Sequence, residues 1–307
     1  MLINAIVCTY NRCESLRDTL RALKEQQLKD GLSMEILVVD NNSKDRTRKA
    51  VEEEAQNSPW PIRYVFEPNQ GISWARNRGI QESKSDFLAF TDDDTIPEPS
   101  WALGLYEALV KYNADCVGGK ILPLWLQPPP PWISHPTVQL FSFGMLGLLD
   151  HGPEEIAAQP TNRGFLYGAN MGFRKCALDE VGLFQTELGL HGSLPMKCED
   201  TEMVERLSST GKKFVYTPKA VVHHKIPASR MRMNYVRSWN FFCGLSLVKM
   251  ASLQGQQRPW RKKLAQECLQ FGAMALKAYV QMDRLSAIKN EFHFWDRMGQ
   301  MVGTFNV

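Results

Sequence analysis

No run of about 18 or more apolar residues occurs in this 307-residue chain, so no membrane-spanning helix is expected. The first residues lack the basic segment, apolar stretch and small-residue cleavage site of a secretory leader. The chain reads instead as entering a strand directly, from Leu2 to Thr9. The cysteines at 8, 13, 116, 176, 198, 243 and 268 are odd in number and form no CxxC pair, so neither a disulfide framework nor a zinc site is indicated. A reducing compartment follows from that usage. The formal net charge is only +3, and no dense Lys/Arg face appears, so nucleic acid is not an expected partner. The chain therefore reads as cytoplasmic, either soluble or bound peripherally at the inner face of a membrane.

What is present is a regular alternation of strand-like and helix-like segments. Ile3–Cys8, Ile36–Val39, Arg63–Phe66 and Phe87–Phe90 are short apolar runs of the kind that form buried strands. Between them, Leu16, Leu20 and Leu23 recur at helical spacing, a polar helix is expected over about Lys44–Gln56, and another over Ile72–Glu82. Such alternation predicts an α/β fold with a mostly parallel central sheet flanked by helices. Ligands of these sheets bind beyond the carboxyl ends of the strands. Thr9, Asp40 and Asp92 all fall at those ends, so one cleft is expected to collect them.

The middle of the chain is less regular. Leu122–Pro136 carries four consecutive prolines and Trp132, and predicts neither helix nor central strand. This loop, with Trp125 and Trp132, reads as an acceptor cover, a membrane-touching loop or two packed tryptophans. Tyr167–Phe173 reads as a turn entering a strand, and Glu199–Ser208 as a helix opening on two acids. Phe214–Tyr216 and Ala220–Val222 read as two short strands before His223-His224. Beyond about Met231 the pattern is helical. We place a main domain at 1–230 and a helical C-terminal extension at 231–307. The run from Arg258 to Gln281, with Leu264, Cys268, Phe271 and Ala275, suits either a membrane-surface helix or one packed on the core.

Several polar constellations carry chemistry. Asp92-Asp93-Asp94 at a strand end concentrates negative charge that a hard cation such as Mn²⁺ or Mg²⁺ would offset, together with substrate phosphates. A solvated acidic turn is the competing reading. Gly71 opens a helix whose N-terminus favours anions, and Arg76 and Arg78 face either a diphosphate or nearby acids. Asp40 serves either a nucleoside or an Asx-turn. Glu199-Asp200 is the candidate acid/base, against simple helix N-terminal charge. Of His223 and His224, which point to opposite faces if extended, one at most enters a site.

Taken in order, Val7-Cys8-Thr9-Tyr10-Asn11-Arg12, Val38–Ser43, Asn69–Gly79, Thr91–Asp94, Tyr167–Met171, Glu199–Glu202 and Val222–Pro227 resemble glycosyltransferase family 2, with its GT-A fold. The resemblance covers about residues 3–230. It implies an inverting transfer from a nucleotide diphosphate sugar, a UDP-sugar first among them, to a hydroxyl of a saccharide or lipid-linked saccharide. It also implies work in polysaccharide or glycoconjugate biosynthesis. By position it assigns Thr9, Tyr10, Arg12, Asp40, Asn42, Gly71, Arg76, Asp92, Asp93, Gly168, Ala169 and Asn170 to donor binding. Asp94 and His224 fall to the metal, and Asp200 to the base with Glu199 beside it. Two departures stand out. Cys198 occupies the place where the family commonly has Gly, and Arg237-Ser238-Trp239 only partly echoes the processive members' signature, which favours single addition. A sugar nucleotidyltransferase and a non-catalytic sugar-nucleotide-binding protein are the alternatives.

Overall fold

The computed structural model describes residues 1–160, 165–191, 194–256 and 261–306. The first half runs β1 (Leu2–Thr9), α1 (Cys13–Lys24), β2 (Ser33–Asp40), α2 (Thr47–Ala55), β3 (Ile62–Phe66), α3 (Ile72–Glu82), β4 (Phe87–Asp92), β5 (Thr95–Pro97) and α4 (Trp101–Lys111). It continues with β6 (Cys116–Trp125), α5 (Gln139–Met145), β7 (Ile156–Ala157), β8 (Asn170–Arg174), α6 (Lys175–Val181), β9 (Leu190–His191), β10 (Leu194–Pro195), α7 (Glu199–Ser209) and β11 (Phe214–Ile226). The helices α8 (Met233–Leu253), α9 (Arg261–Val280) and α10 (Arg284–Asn306) follow. This is the expected mixed α/β architecture.

One sheet orders its strands β3-β2-β1-β4-β8-β6-β11-β5, with β7 added alongside β11. β3, β2, β1 and β4 run parallel, while β8 pairs antiparallel to β4 and to β6. The parallel strands β1 and β2 are buried almost end to end, as strands covered on both faces must be. Ile6, Leu37, Val39, Leu88 and Phe90 pack with Met171 and Phe173 of β8, Ile80 of α3, and Met203 and Leu207 of α7. That core fixes α3 and α7, which carry candidate site residues, against the same sheet. Asn170 locks the antiparallel half. Its Oδ1 accepts from Trp101 Nε1 at 2.8 Å, and its Nδ2 donates to the carbonyls of Lys120 and Ala220, both at 2.9 Å.

Two expectations change. β6 extends through Leu122 to Trp125, so the irregular segment begins later than the prolines suggested. The two short strands before the histidines are one 13-residue strand, β11. Pro218 interrupts only the donor pattern. It lies between the stretch that pairs with β7 and the stretch that pairs with β5. His223 and His224 are thus inside a strand rather than after one.

By its contacts the chain forms two compact units. One comprises 1–124, 147–187 and 199–225; the other comprises 125–146, 188–198 and 226–307. The second unit is dominated by α8, α9 and α10. Within it, Phe141 stacks on Phe292 with centroids 5.4 Å apart, and Arg237 meets Glu291 through Nε at 2.6 Å. The fragment that echoed a processive signature is therefore an ion pair between α8 and α10. Among the described residues, no helix is long and apolar enough to cross a membrane.

Candidate active site

The carboxyl ends of β1, β2 and β4 lie side by side, because the register pairs Thr9 with Asp40 and Cys8 with Asp92. Residues far apart in sequence meet there. Thr9 Oγ1 donates to Asp93 Oδ2 at 2.7 Å, and Arg12 Nη1 reaches Asp93 Oδ1 at 3.1 Å and Asp94 Oδ2 at 2.8 Å. Burial is the main cause raising the Asp93 carboxyl to about 6; Arg12 counters it, and Asp94 adds to it. Asp92 is raised in the same direction, first by burial and then by Asp94, with Arg76 opposing. Both carboxyls are thus more readily protonated than in water, chiefly because they are buried.

Asp94 and His224 come together through β5, a strand not foreseen from sequence. Thr95 of β5 pairs with His224 of β11, which leaves the His224 Nε2 3.4 Å from Asp94 Oδ1. His223 points the other way and meets Glu98 at 2.9 Å. A carboxylate beside an imidazole is a donor set that suits Mn²⁺, with phosphate oxygens and water completing the shell. Among the described residues, no group of three His, Cys, Asp or Glu forms a protein-only cage. The residues fit a cation shared with a substrate diphosphate.

Arg76 is the hub of the site. It is 4% exposed, donates from Nη1 to Glu199 Oε1 at 2.8 Å, and sits 3.7 Å from Asp92 Oδ1. Burial disfavours its charge, but Glu199, Asp92 and Asp200 more than offset this and raise its pKa. Its guanidinium lies over the Phe184 ring at 5.5 Å. Phe184 is in turn fixed to α3 by reciprocal 2.9 Å bonds between its backbone and the Asn77 amide. Sequence reading missed Phe184, and no local pattern marks it. A Cβ on Gly168 would stand 2.1 Å from Arg76 Nη2, so only glycine leaves the guanidinium its place. Arg78, by contrast, faces outward to Glu82.

Asp200 faces the same pocket of charge. Its Oδ2 accepts the Gly168 N–H at 3.0 Å and its Oδ1 accepts the Thr201 N–H at 2.7 Å. Burial and then Glu199 raise its carboxyl to about 6, against Arg76 and the two backbone donors. The chain approaches α7 through Cys198, whose φ is +70°. A left-handed residue at that point explains why glycine would be at home there.

The nucleoside side is more structural in character. Asp40 Oδ1 accepts the Ser43 N–H and Oδ2 accepts the Tyr64 hydroxyl, both at 2.8 Å. The side chain thus braces its own loop, through the residue three on rather than the two of an Asx-turn. Asn41, passed over in the sequence, ties β2 to α3: its Nδ2 donates to Asn69 O at 2.6 Å and its Oδ1 accepts from Gly71 N at 2.8 Å. Gly71 itself has φ +145°, a conformation glycine permits. Asn42 lies at φ +67° and donates to the Pro68 carbonyl at 3.3 Å. Tyr10 is exposed at the mouth. Ala169 contributes its carbonyl to Thr91 at 3.0 Å, and Asn170 is wholly buried in the scaffold bonds described above.

A parallel sheet ending in clustered acids, with a second acidic pair brought alongside by an arginine, defines a transferase site of the GT-A kind. The sequence profile described as Glycosyl transferase family 2 matches residues 5–182, and the chain belongs to that family. A glucosyl-dolichyl phosphate glucuronosyltransferase of Haloferax volcanii is 26% identical over 83% of this chain and 79% of its own. The succinoglycan biosynthesis protein ExoM of Rhizobium meliloti is 28% identical over 84% of this chain and 79% of its own. Among solved structures, the mannosyltransferase PcManGT of Pyrobaculum calidifontis, in complex with GDP-Man and Mn²⁺, superposes with a TM-score of 0.64. That match has 17% identity and covers 99% of this chain and 86% of that one, a likeness of fold.

Proposed function

We propose that this glycosyltransferase works in polysaccharide or glycoconjugate biosynthesis. It would transfer a sugar, with inversion, from a nucleotide diphosphate donor, UDP-linked first, to a hydroxyl of a saccharide or lipid-linked saccharide. The observation that carries the reading is Arg76 joining Glu199 of the late acidic pair to Asp92 of the triplet. One buried cation thereby joins Glu199, the neighbour of the proposed base, to the proposed donor site. The Haloferax relative's name supplies the lipid-linked acceptor by analogy.

In this reading Asp200 takes the proton from the acceptor hydroxyl as that oxygen attacks the anomeric carbon. The backbone N–H groups of Gly168 and Thr201 orient its carboxylate, and Glu199 acts through Arg76 to keep the site assembled. Thr9, Arg12 and Asp93 form the floor on which the donor's nucleotide end is held. Asp94 and His224 would hold Mn²⁺ or Mg²⁺, which when bound supplies charge neutralisation for the departing diphosphate.

The test screens UDP-, GDP- and dTDP-sugars for transfer and for donor hydrolysis, and compares Asp200→Asn with the parent. The variant is expected to bind donor as before while turnover falls by about 10²–10⁴-fold. Unchanged turnover removes Asp200 from its role. In titration calorimetry, Asp94→Ala is expected to lose the Mn²⁺-dependent part of donor affinity; a parent with equal affinity in the presence and absence of the ion ends the metal assignment.

A further inference from the structure

Helix α9 carries two apolar stripes where one would suffice for packing. Leu264, Cys268, Ala275 and Ala278 are buried, so the residues that suggested a membrane-surface helix mostly face inward. The stretch before Arg261 lies outside the described residues. About 140° around the helix, at roughly 100° per residue, runs a second stripe of Leu269, Ala273, Leu276 and Val280. Leu269 is 76% exposed, Leu276 66% and Val280 76%, and Met282, in the turn after the helix, is exposed as well. Leu269, Ala273 and Leu276 of this stripe line, with Phe294, Met298 and Met301 of α10, an apolar groove of about 580 Å³. Scattered exposed leucines need no explanation, whereas a continuous grooved stripe marks a surface that something covers.

The charges around the stripe indicate what covers it. Lys262 and Lys277 are exposed on α9, and Lys263, also exposed, pairs with Glu267 at 3.9 Å. Glu267, the one acid in this helix, is engaged by Arg297 at 2.6 Å. A second copy of α9 laid on the stripe would bring lysines together with no free carboxylate of the helix to offset them. Anionic headgroups offset Lys262 and Lys277 and add to the partner Lys263 already has, while the long lysine stems lie along the apolar layer. We propose that α9 and α10 form a docking face for an anionic lipid bilayer, with the groove receiving acyl chain. This inference concerns only these helices and is independent of the transferase reading.

The experiment is flotation of the full chain with vesicles of phosphatidylcholine alone and with vesicles carrying about one-fifth phosphatidylglycerol, beside light scattering of the lipid-free protein. The parent is expected to float with the anionic vesicles, at least about tenfold better than with the neutral ones. The double variant L269E/L276E is expected to lose that binding, and K262Q/K263Q/K277Q to lose its anionic preference. Both leucines project into solvent, so an unchanged melting temperature separates lost docking from lost folding. Equal flotation of L269E/L276E and parent would overturn the proposal, as would no flotation at all. A lipid-free dimer that L269E/L276E converts to monomer would also overturn it and reassign the face to self-association.

Discussion

At the scale of single residues, the site is a balance among buried charges, and its consequences are readable in pH. The Asp200 carboxyl is raised to about 6 by burial and Glu199. A general base must be unprotonated, so transfer efficiency is expected to rise with pH through about 6 and then level off. A kcat/KM profile with no inflection between about pH 5 and 7 would count against Asp200 as base. Gly168 gives a second expectation. In Gly168→Ala the new methyl meets a guanidinium that Glu199 and the Phe184 ring hold in place, so Arg76 cannot simply swing aside. We expect a loss of about 10²-fold in kcat, as when a reacting group is displaced by about an ångström, while far-ultraviolet dichroism stays that of the parent. Wild-type turnover in this variant would show Arg76 to be dispensable.

At the scale of elements, the parallel half of the sheet was legible because its strands are apolar runs separated by helical periodicity. α3 falls on Ile72–Glu82 as its pattern indicates. The convergence of Thr9, Asp40 and Asp92 followed from where those strands end. What stayed hidden was pairing between distant segments: β5 has only three residues, yet its register with β11 brings His224 to Asp94. Nor could any local pattern say that Asn170 would spend its whole amide on Trp101 and two carbonyls. Cys198 was legible as a departure, and its φ of +70° supplies the reason. The residue also packs with Leu188 and Met250, so glycine would relieve backbone strain but lose buried sulfur. These terms are each about 1 kcal/mol, and Cys198→Gly is expected to change stability by less than about that amount. Cys198→Val, β-branched at positive φ, is expected to cost about 2–3 kcal/mol. Urea melts of the two variants decide it; equal stability would mean that the approach to α7 relaxes freely.

At the scale of the whole molecule, these carboxylates make the chain less stable than its core allows, in a way that depends on pH. Asp93 and Asp200 titrate near 6 when folded and near 3.8 when not. The folded state therefore binds more protons across that window, and stability from these groups rises as pH falls from about 6 to about 4. Glu155 acts in the opposite sense. Its hydrogen bond from Lys111 first, and those from Lys219 and Tyr112, lower it to about 2 against the cost of burial, so its contribution is lost only below about pH 4.5. Through these acids the ligand-free protein is expected to melt higher near about pH 5 than at neutrality, with His293, whose pKa burial lowers, opposing them. Asp93→Asn removes one of the penalties and is expected to raise stability at pH 7.5 by about 1–2 kcal/mol while leaving it nearly unchanged at pH 4.5. A divalent cation supplies from outside the neutralisation that protons supply at lower pH. Mn²⁺ should therefore raise the melting temperature more at pH 7.5 than at pH 5, and Asp94→Ala should abolish that difference. A Mn²⁺ shift equal at both pH values, or one that persists in Asp94→Ala, would place the ion somewhere other than among these acids.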